Sequence, residues 1–207
     1  MEISVSILSA RNKLDAIKLL NDSNCDYIHI DVMDGKFVSN KMFMMNDIGN
    51  FNKKSTKKLD VHLMVSDPNS YIDYLGKLDM VEFITIHYEI DRDISFILNK
   101  IKSYGKKCGL AINPETDVDV LSSYAYILDM VLVMSVCPGR GGQKFIDSTY
   151  DKIYKIRSRY KDICISVDGG VNDSNYLSIK DSGASMIVVG SYVTGSDSYN
   201  KRIDSLK

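Results

Sequence analysis

Residues 27–35 read YIHIDVMDG, and residues 59–65 read LDVHLMV. In both stretches aliphatic residues alternate with polar ones, which is typical of a β-strand whose two faces differ. Successive side chains of a strand point to opposite faces, so His29 and Asp31 share one face of the first stretch. Asp60 and His62 share a face of the second stretch in the same way. Each stretch therefore predicts a strand with a histidine and an aspartate on one face.

Strands of this kind recur along the chain and alternate with longer stretches in which apolar residues have helical spacing. The eight predicted strands are residues 3–8, 27–32, 59–64, 83–86, 107–112, 130–134, 164–167 and 186–189. Strand–helix alternation predicts a parallel sheet with right-handed crossovers, and eight repeats favour a closed (β/α)8 TIM barrel over an open doubly wound sheet. The GxGxxG motif of dinucleotide-binding open sheets does not follow the first strand.

Two of the connecting segments give weaker predictions. Residues 42–53 contain several asparagines and a glycine, so we expect a loop there with at most a short helix. Residues 197–207 leave room only for a short last helix.

The composition is that of an ordinary soluble domain. The 207 residues include 26 Lys+Arg and 27 Asp+Glu, which gives a net charge of −1. This balance gives no support to binding of nucleic acid or of a membrane surface through bulk charge. No apolar run approaches the roughly 20 residues of a membrane span, and the first residues lack the features of a signal peptide. We expect one (β/α)8 domain over residues 1–207, in the cytoplasm, with reduced cysteines.

Polar side chains gather towards the carboxyl ends of the predicted strands, where barrel enzymes build their active sites. His87 and Asp168 each follow a predicted strand directly. His29, Asp31, His62 and Asp168 together offer four nitrogen and oxygen ligands to one divalent metal ion. A pair of carboxylates also suits removal of a proton from one face of a carbon and its return on the other.

Glycine-rich loops follow the last three predicted strands. They read CPGRGGQKF at residues 137–145, DGGVN at residues 168–172 and GS at residues 190–191. Glycine lets backbone N–H groups approach an anion closely, and the loops after strands seven and eight are the usual phosphate site of this barrel. Three such loops in succession predict a substrate that carries phosphate.

These motifs, in their order and spacing, resemble the ribulose-phosphate 3-epimerase family. The resemblance runs almost end to end, through SVSILSA, HIDVMDGKFVSN, LDVHLMVSDP, ITIHYE, GLAINPET, VLVMSVCPGRGGQKF, ISVDGGVN and GASMIVVGS. Members of this family are (β/α)8 barrels that invert carbon 3 of a ketose phosphate and interconvert ribulose 5-phosphate and xylulose 5-phosphate. The resemblance therefore implies a metal-dependent isomerase of the pentose phosphate pathway that forms a homo-oligomer.

The resemblance also implies a role for each residue that matches a family motif. It implies that Asp31 and Asp168 are the two acid/base residues and that they bind one divalent ion (zinc, iron, manganese or cobalt) together with His29 and His62. The substrate-binding residues that it implies are Ser6, His62, Gly139, Arg140, Gly141, Gly142, Asp168, Gly169, Gly170, Gly190 and Ser191. The methionines that it places along the reaction plane are Met33, Met64 and Met134.

The chemistry of this epimerisation explains the residue types. The proton on carbon 3 lies next to a ketone, and its removal leaves an enediolate whose charge a Lewis-acidic cation stabilises. Two bases on opposite faces of the carbon make inversion possible, because a single base tends to return the proton to its original face. Methionine thioethers provide polarizable walls that do not titrate.

Three positions depart from the family pattern. Cys137 stands where the family usually has Asn, Arg140 where it usually has Phe, and Ser39 where it usually has Pro. Arg140 lies on the loop that closes over the substrate, so it either contacts the phosphate or faces solvent. Cys137 either alters local hydrogen bonding on that loop or is an inert small residue.

Three other functions are compatible with this sequence. An allulose-6-phosphate 3-epimerase shares the fold, the metal and the motifs, although the GGQ at residues 141–143 looks more like the pentose enzymes. A sugar-phosphate decarboxylase would be expected to carry a catalytic lysine among its strand-end carboxylates. A non-catalytic sugar-phosphate-binding protein would have little reason to keep all four metal ligands.

Overall fold

The computed structural model describes residues 1–207 and confirms the predicted single-domain (β/α)8 TIM barrel. The strands are β1 (Glu2–Ser6), β2 (Tyr27–Asp34), β3 (Lys41–Met42), β4 (Lys58–Met64), β5 (Val81–His87), β6 (Lys107–Ile112), β7 (Met130–Met134), β8 (Cys164–Asp168) and β9 (Met186–Val189). All of them except β3 run parallel to their neighbours, and β1 closes the barrel by pairing with both β2 and β9. The eight parallel strands include all eight that the sequence predicts.

Helices surround the barrel and bury one apolar face each against the strands. They are α1 (Lys13–Asn21), α2 (Met45–Lys54), α3 (Asn69–Leu75), α4 (Ile94–Ser103), α5 (Thr149–Arg159), α6 (Tyr176–Asp181), α7 (Ser191–Thr194) and α8 (Tyr199–Asp204), with a 3-10 helix at Val118–Ser123. The main hydrophobic core contains 51 buried residues, contributed by strands and helices together. The short α8 agrees with the expectation for the last residues.

The expectation of a loop with at most a short helix over residues 42–53 is wrong. Residues 41–42 form β3, which pairs antiparallel with the end of β2, and α2 then extends over ten residues. Ile48 and Phe51 are buried, and the Phe51 ring packs edge-on against Phe43 with centroids 5.2 Å apart. The Asp47 carboxylate accepts the Met44 N–H at the helix start. Tertiary packing and this cap therefore outweigh the weak helix propensity of asparagine and glycine.

The barrel interior has an apolar end and a polar end. At the amino end of the strands, Tyr27, Phe83, Met130 and Met186 form a buried cluster, which we call the apolar floor. The Tyr27 and Phe83 rings meet edge to face with centroids 5.6 Å apart. Further along β2 and β5 the inward positions become polar, whereas those of β7 and β9 stay apolar and place Leu132, Met134 and Val188 in a second buried cluster. The mouth at the carboxyl end therefore has a polar side and an apolar side.

Candidate active site

Four side chains from three strands meet in the mouth of the barrel. Parallel pairing of β2 with β4 sets Asp31 beside His62, and β8 brings Asp168 to the same place. The potential ligand atoms of His29, Asp31, His62 and Asp168 all lie within 4.8 Å of one another. The i and i+2 spacing in the sequence thus produces a cluster that can hold a metal ion.

The donor atoms of this cluster fit a metal ion because two of them lack any other partner. His29 Nε2 and His62 Nδ1 are buried and make no hydrogen bond. Asp31 Oδ1 lies 3.3 Å from the first nitrogen and 3.4 Å from the second. Buried polar atoms normally find partners, so two unpaired imidazole nitrogens facing carboxylates indicate a place for a cation.

Each histidine of the cluster is held through its other ring nitrogen. His29 Nδ1 lies 2.7 Å from Asp60 Oδ2, which also accepts the Ser4 hydroxyl at 3.0 Å. His62 Nε2 lies 2.8 Å from His87 Nε2. In both cases the contact fixes the ring plane and leaves the opposite nitrogen directed at the carboxylates, as in metal sites generally.

The two carboxylates of the cluster have opposite pKa shifts. Burial favours the neutral form of Asp31, but the neighbouring His29 and His62 outweigh burial and hold its pKa well below the usual range. Burial, reinforced by the negative charge of Asp31, raises the pKa of Asp168 to about 7. Burial lowers the pKa of His29, yet Asp31 and Asp60 together raise it well above its ordinary value. A cation bound here would relieve the repulsion between the carboxylates.

The two carboxylates of the cluster, Asp31 and Asp168, line a pocket at the mouth of the barrel, whereas His29 and His62 are fully buried beside them and do not line it. Ser6, Met33, Met64 and Met134 line this cavity, as the resemblance implies. The Ser6 hydroxyl donates to Asp31 Oδ2 at 2.7 Å, so it holds the carboxylate that faces the histidines. The predicted substrate-facing serine and methionines are therefore in place around the cluster.

The glycine-rich loops line the same cavity from the opposite side. The lining includes all the predicted loop residues, namely Gly139, Arg140, Gly141, Gly142, Gly169, Gly170, Gly190 and Ser191. Gly170 has a φ of +64°, and a Cβ there would come within 2.5 Å of the Phe145 backbone nitrogen. Glycine is required at that position because the loop after β8 presses against the end of the loop after β7.

The loop after β7 carries both of the unusual residues, and the structure separates them. Arg140 lines the cavity, whereas Cys137 does not and is exposed. Gln143 Nε2 donates to the carbonyl oxygens of both residues, at 2.7 and 2.8 Å. Asn40 Nδ2, from the loop after β2, donates to Gly139 O at 2.7 Å and joins the two loops.

Comparison with known proteins identifies the family of the chain. The ribulose-phosphate 3 epimerase family matches residues 2–194 of the chain. The ribulose-phosphate 3-epimerase of Helicobacter pylori (strain J99) is 35% identical over 211 residues, with 100% of this chain and 97% of that protein covered. The Bacillus subtilis (strain 168) ribulose-phosphate 3-epimerase is 36% identical over 214 residues, with coverages of 100% and 98%. The chain belongs to the ribulose-phosphate 3-epimerase family.

A solved structure extends the likeness at the level of fold. The 3-hexulose-6-phosphate synthase of Salmonella typhimurium matches with a TM-score of 0.75 at 17% identity, covering 100% of this chain and 96% of that one. At that identity the likeness shows a shared barrel only. No lysine is among the residues that line the pocket.

Several residues around the site escape sequence reasoning. Asp60 is predicted to share a face with His62, but its contact with His29 is not foreseen. Ser135 donates through its hydroxyl to the carbonyl oxygens of Asp168 and Gly169, at 2.8 and 2.6 Å, and so fixes the end of β8. Glu89 contacts His87, and the spacing HYE at a strand end is the signal that could have pointed to it.

None of the helices is long and apolar enough to cross a lipid bilayer.

Proposed function

We propose that this epimerase interconverts D-ribulose 5-phosphate and D-xylulose 5-phosphate by two-base proton transfer at carbon 3. The observation that carries the proposal is the meeting of Asp31 and Asp168, from separate strands, with two unpaired imidazole nitrogens at the mouth of the barrel. The family match adds the class of substrate, a sugar phosphate.

Asp31 and Asp168 exchange the proton in this proposal. One carboxylate takes the proton from one face of carbon 3, and the other donates a proton to the opposite face. Reversal of the two roles runs the reverse reaction. The hydrogen bond from the Ser6 hydroxyl holds Asp31 in place, and Ser135 fixes the backbone that carries Asp168.

His29 and His62 would hold a metal ion together with the two aspartates. A divalent cation bound there would stabilise, as a Lewis acid, the negative charge that develops on the substrate oxygens. Mixed imidazole and carboxylate donors suit zinc, iron, manganese or cobalt.

The remaining cavity residues bind and enclose the substrate. We assign the phosphate group to the loops after β8 and β9, because Gly169, Gly170, Gly190 and Ser191 line the pocket there and glycine lets backbone N–H groups approach an anion closely. Met33, Met64 and Met134 flank the planar intermediate, and the loop after β7 covers it and excludes water.

The test uses purified protein loaded in turn with zinc, manganese, iron or cobalt in deuterated water. Ribulose 5-phosphate is expected to give its epimer with deuterium at carbon 3. Allulose 6-phosphate, incubated in parallel, is expected to react much more slowly. Faster turnover of the hexose phosphate would assign the alternative substrate, and no turnover of either compound with any of these metals would overturn the proposal.

A further inference from the structure

A chain of hydrogen bonds leads from the candidate metal centre to the far side of β5. His62 Nε2 lies 2.8 Å from His87 Nε2, and His87 Nδ1 lies 3.0 Å from Glu89 Oε2. The two imidazole rings are inclined by 29° with centroids 4.9 Å apart, so they meet through their edges, and both residues are fully buried. We call these three residues the His62–Glu89 chain. The proton transfer proposed above uses neither His87 nor Glu89.

The hydrogen bonds of the His62–Glu89 chain have a direction because the outer end of that chain is a carboxylate. Burial raises the pKa of Glu89, but hydrogen bonds from His87, Thr116 and Asn113 outweigh burial and lower the pKa to about 2. The ionised carboxylate can only accept, so the hydrogen on His87 lies at Nδ1. A neutral imidazole has a single N–H, which leaves His87 Nε2 as an acceptor and makes His62 Nε2 the donor. His62 Nδ1 is then a bare lone pair.

We propose that Glu89 and His87 are positioning residues that hold His62 in the tautomer whose unprotonated Nδ1 faces Asp31 and Asp168. This inference rests on the proposed function, since it assigns that lone pair to the metal ion. The opposite tautomer would place a hydrogen on His62 Nδ1 and block it as a ligand.

The orientation of Glu89 is itself fixed by the loop after β6. Its Oε1 accepts the Asn113 N–H at 2.8 Å and also the Thr116 hydroxyl, so Oε2 alone is left for His87. Lys152 Nζ donates to the carbonyl oxygens of Asn113, Pro114 and Thr116 at 2.7–2.8 Å and ties this loop to α5. The carboxylate therefore cannot turn away without breaking several hydrogen bonds.

The tautomer can be measured directly in the metal-free protein. Long-range proton–nitrogen NMR spectra of ¹⁵N-labelled protein distinguish the two nitrogens of each imidazole ring. The protein has only three histidines, so few signals need to be assigned. We expect a hydrogen on Nε2 of His62 and on Nδ1 of His87. A hydrogen on Nδ1 of His62 in the wild-type protein would overturn the inference.

Two substitutions at one position separate a tautomer effect from a structural one. In Glu89→Gln the amide oxygen stays with its two donors, Asn113 and Thr116, and the NH₂ group turns towards His87. That contact reverses the chain and puts a hydrogen on His62 Nδ1. We expect a Co²⁺ affinity roughly 10- to 100-fold lower, followed by the visible absorption of the bound ion. Glu89→Ala removes the bias without reversing it, so we expect a smaller loss.

This order of effects is the opposite of what a structural role would give, because Gln preserves the shape of Glu better than Ala does. Glu115→Gln removes the same charge from an exposed position on the neighbouring loop and is expected to bind Co²⁺ like the wild type. Equal affinity of Glu89→Gln and the wild type, or a larger loss in Glu89→Ala, would overturn the inference. Failure of the wild type itself to bind Co²⁺ would instead overturn the proposed metal centre.

Discussion

The two ends of the barrel interior are built from the same strands and filled in opposite ways. At the apolar floor, Tyr27, Phe83, Met130 and Met186 pack against one another, and the only hydroxyl among them, that of Tyr27, donates to Glu2 Oε1 at 3.5 Å. At the mouth the inward positions carry imidazoles and carboxylates, and two of the imidazole nitrogens stay unpaired. None of the four floor side chains has an unpaired buried polar atom, whereas the mouth has two such nitrogen atoms. The floor therefore stabilises the fold, while the mouth keeps polar groups that serve ligand binding.

Asp168→Asn is expected to have the largest effect at the mouth. The amide cannot exchange a proton with carbon 3, so turnover should fall roughly 10²- to 10⁴-fold. The epimerisation rate of ribulose 5-phosphate measures this loss. Because burial and the charge of Asp31 disfavour ionised Asp168, the metal-free variant should unfold at a temperature no lower than the wild type. Turnover close to that of the wild type would remove Asp168 from its assigned role.

Phe83→Ala is the corresponding change at the floor. We expect it to reduce the stability of the fold and to leave the chemistry unchanged. Loss of this buried ring is expected to lower the free energy of unfolding by about 3–5 kcal/mol. Turnover at saturating substrate should stay near the wild-type value at temperatures where the variant is folded. The matched control is Phe96→Ala, which removes a ring that is 61% exposed and should cost less than about 0.5 kcal/mol. Denaturant unfolding and the epimerase assay on the same samples check both statements.

Two results would contradict the division between the floor and the mouth. If Phe83→Ala lowered turnover as strongly as Asp168→Asn while remaining folded, the floor would have to be coupled to the chemistry. If Asp168→Asn destabilised the protein as much as Phe83→Ala, the mouth would contribute to folding as a core does.

The mouth was more predictable from sequence than the segments around it. The alternation of residues 27–35 and 59–65 is enough to place His29, Asp31 and His62 on inward faces, and strand ends locate Asp168. The sequence pattern of residues 42–53 allows at most a short helix and underestimates α2, because packing of Phe51, and not local propensity, stabilises it. Glu89 was missed for another reason, since its role depends on which ring nitrogen each histidine presents. A sequence pattern specifies the face of a strand but not the direction of a hydrogen bond.

Asp34 offers a smaller test of how polar contacts stabilise the mouth. Its carboxylate accepts the N–H and hydroxyl of Ser66 at 2.8 and 2.9 Å, and the N–H groups of Lys36 and Phe37 at 2.8 and 2.9 Å. Burial raises the pKa of Asp34, but these hydrogen bonds outweigh burial and lower the pKa to about 2. The depressed pKa means that the ionised form stabilises the folded state above the unfolded value of about 3.9.

Asp34→Asn is therefore expected to lower the free energy of unfolding near neutral pH by about 1 kcal/mol, allowing for the exposure of the group. The difference from the wild type should shrink as the pH falls below about 4 and vanish as it passes through the folded pKa. Urea unfolding of both proteins between neutral and acidic pH gives the comparison. A difference that stayed constant over this range would show that packing, and not charge, makes Asp34 useful.

Arg140→Phe is expected to have the smallest effect, because the guanidinium belongs to an exposed loop at the rim of the mouth. The change installs the residue that the family usually has there. If Arg140 contacts the substrate phosphate, its loss should raise KM roughly two- to five-fold and leave kcat nearly unchanged, as expected for a solvent-screened ion pair. Added salt should raise the KM of the wild type towards that of the variant, since it weakens exposed charge pairs. An unchanged KM at low salt would place Arg140 in solvent and leave phosphate binding to the glycine loops alone.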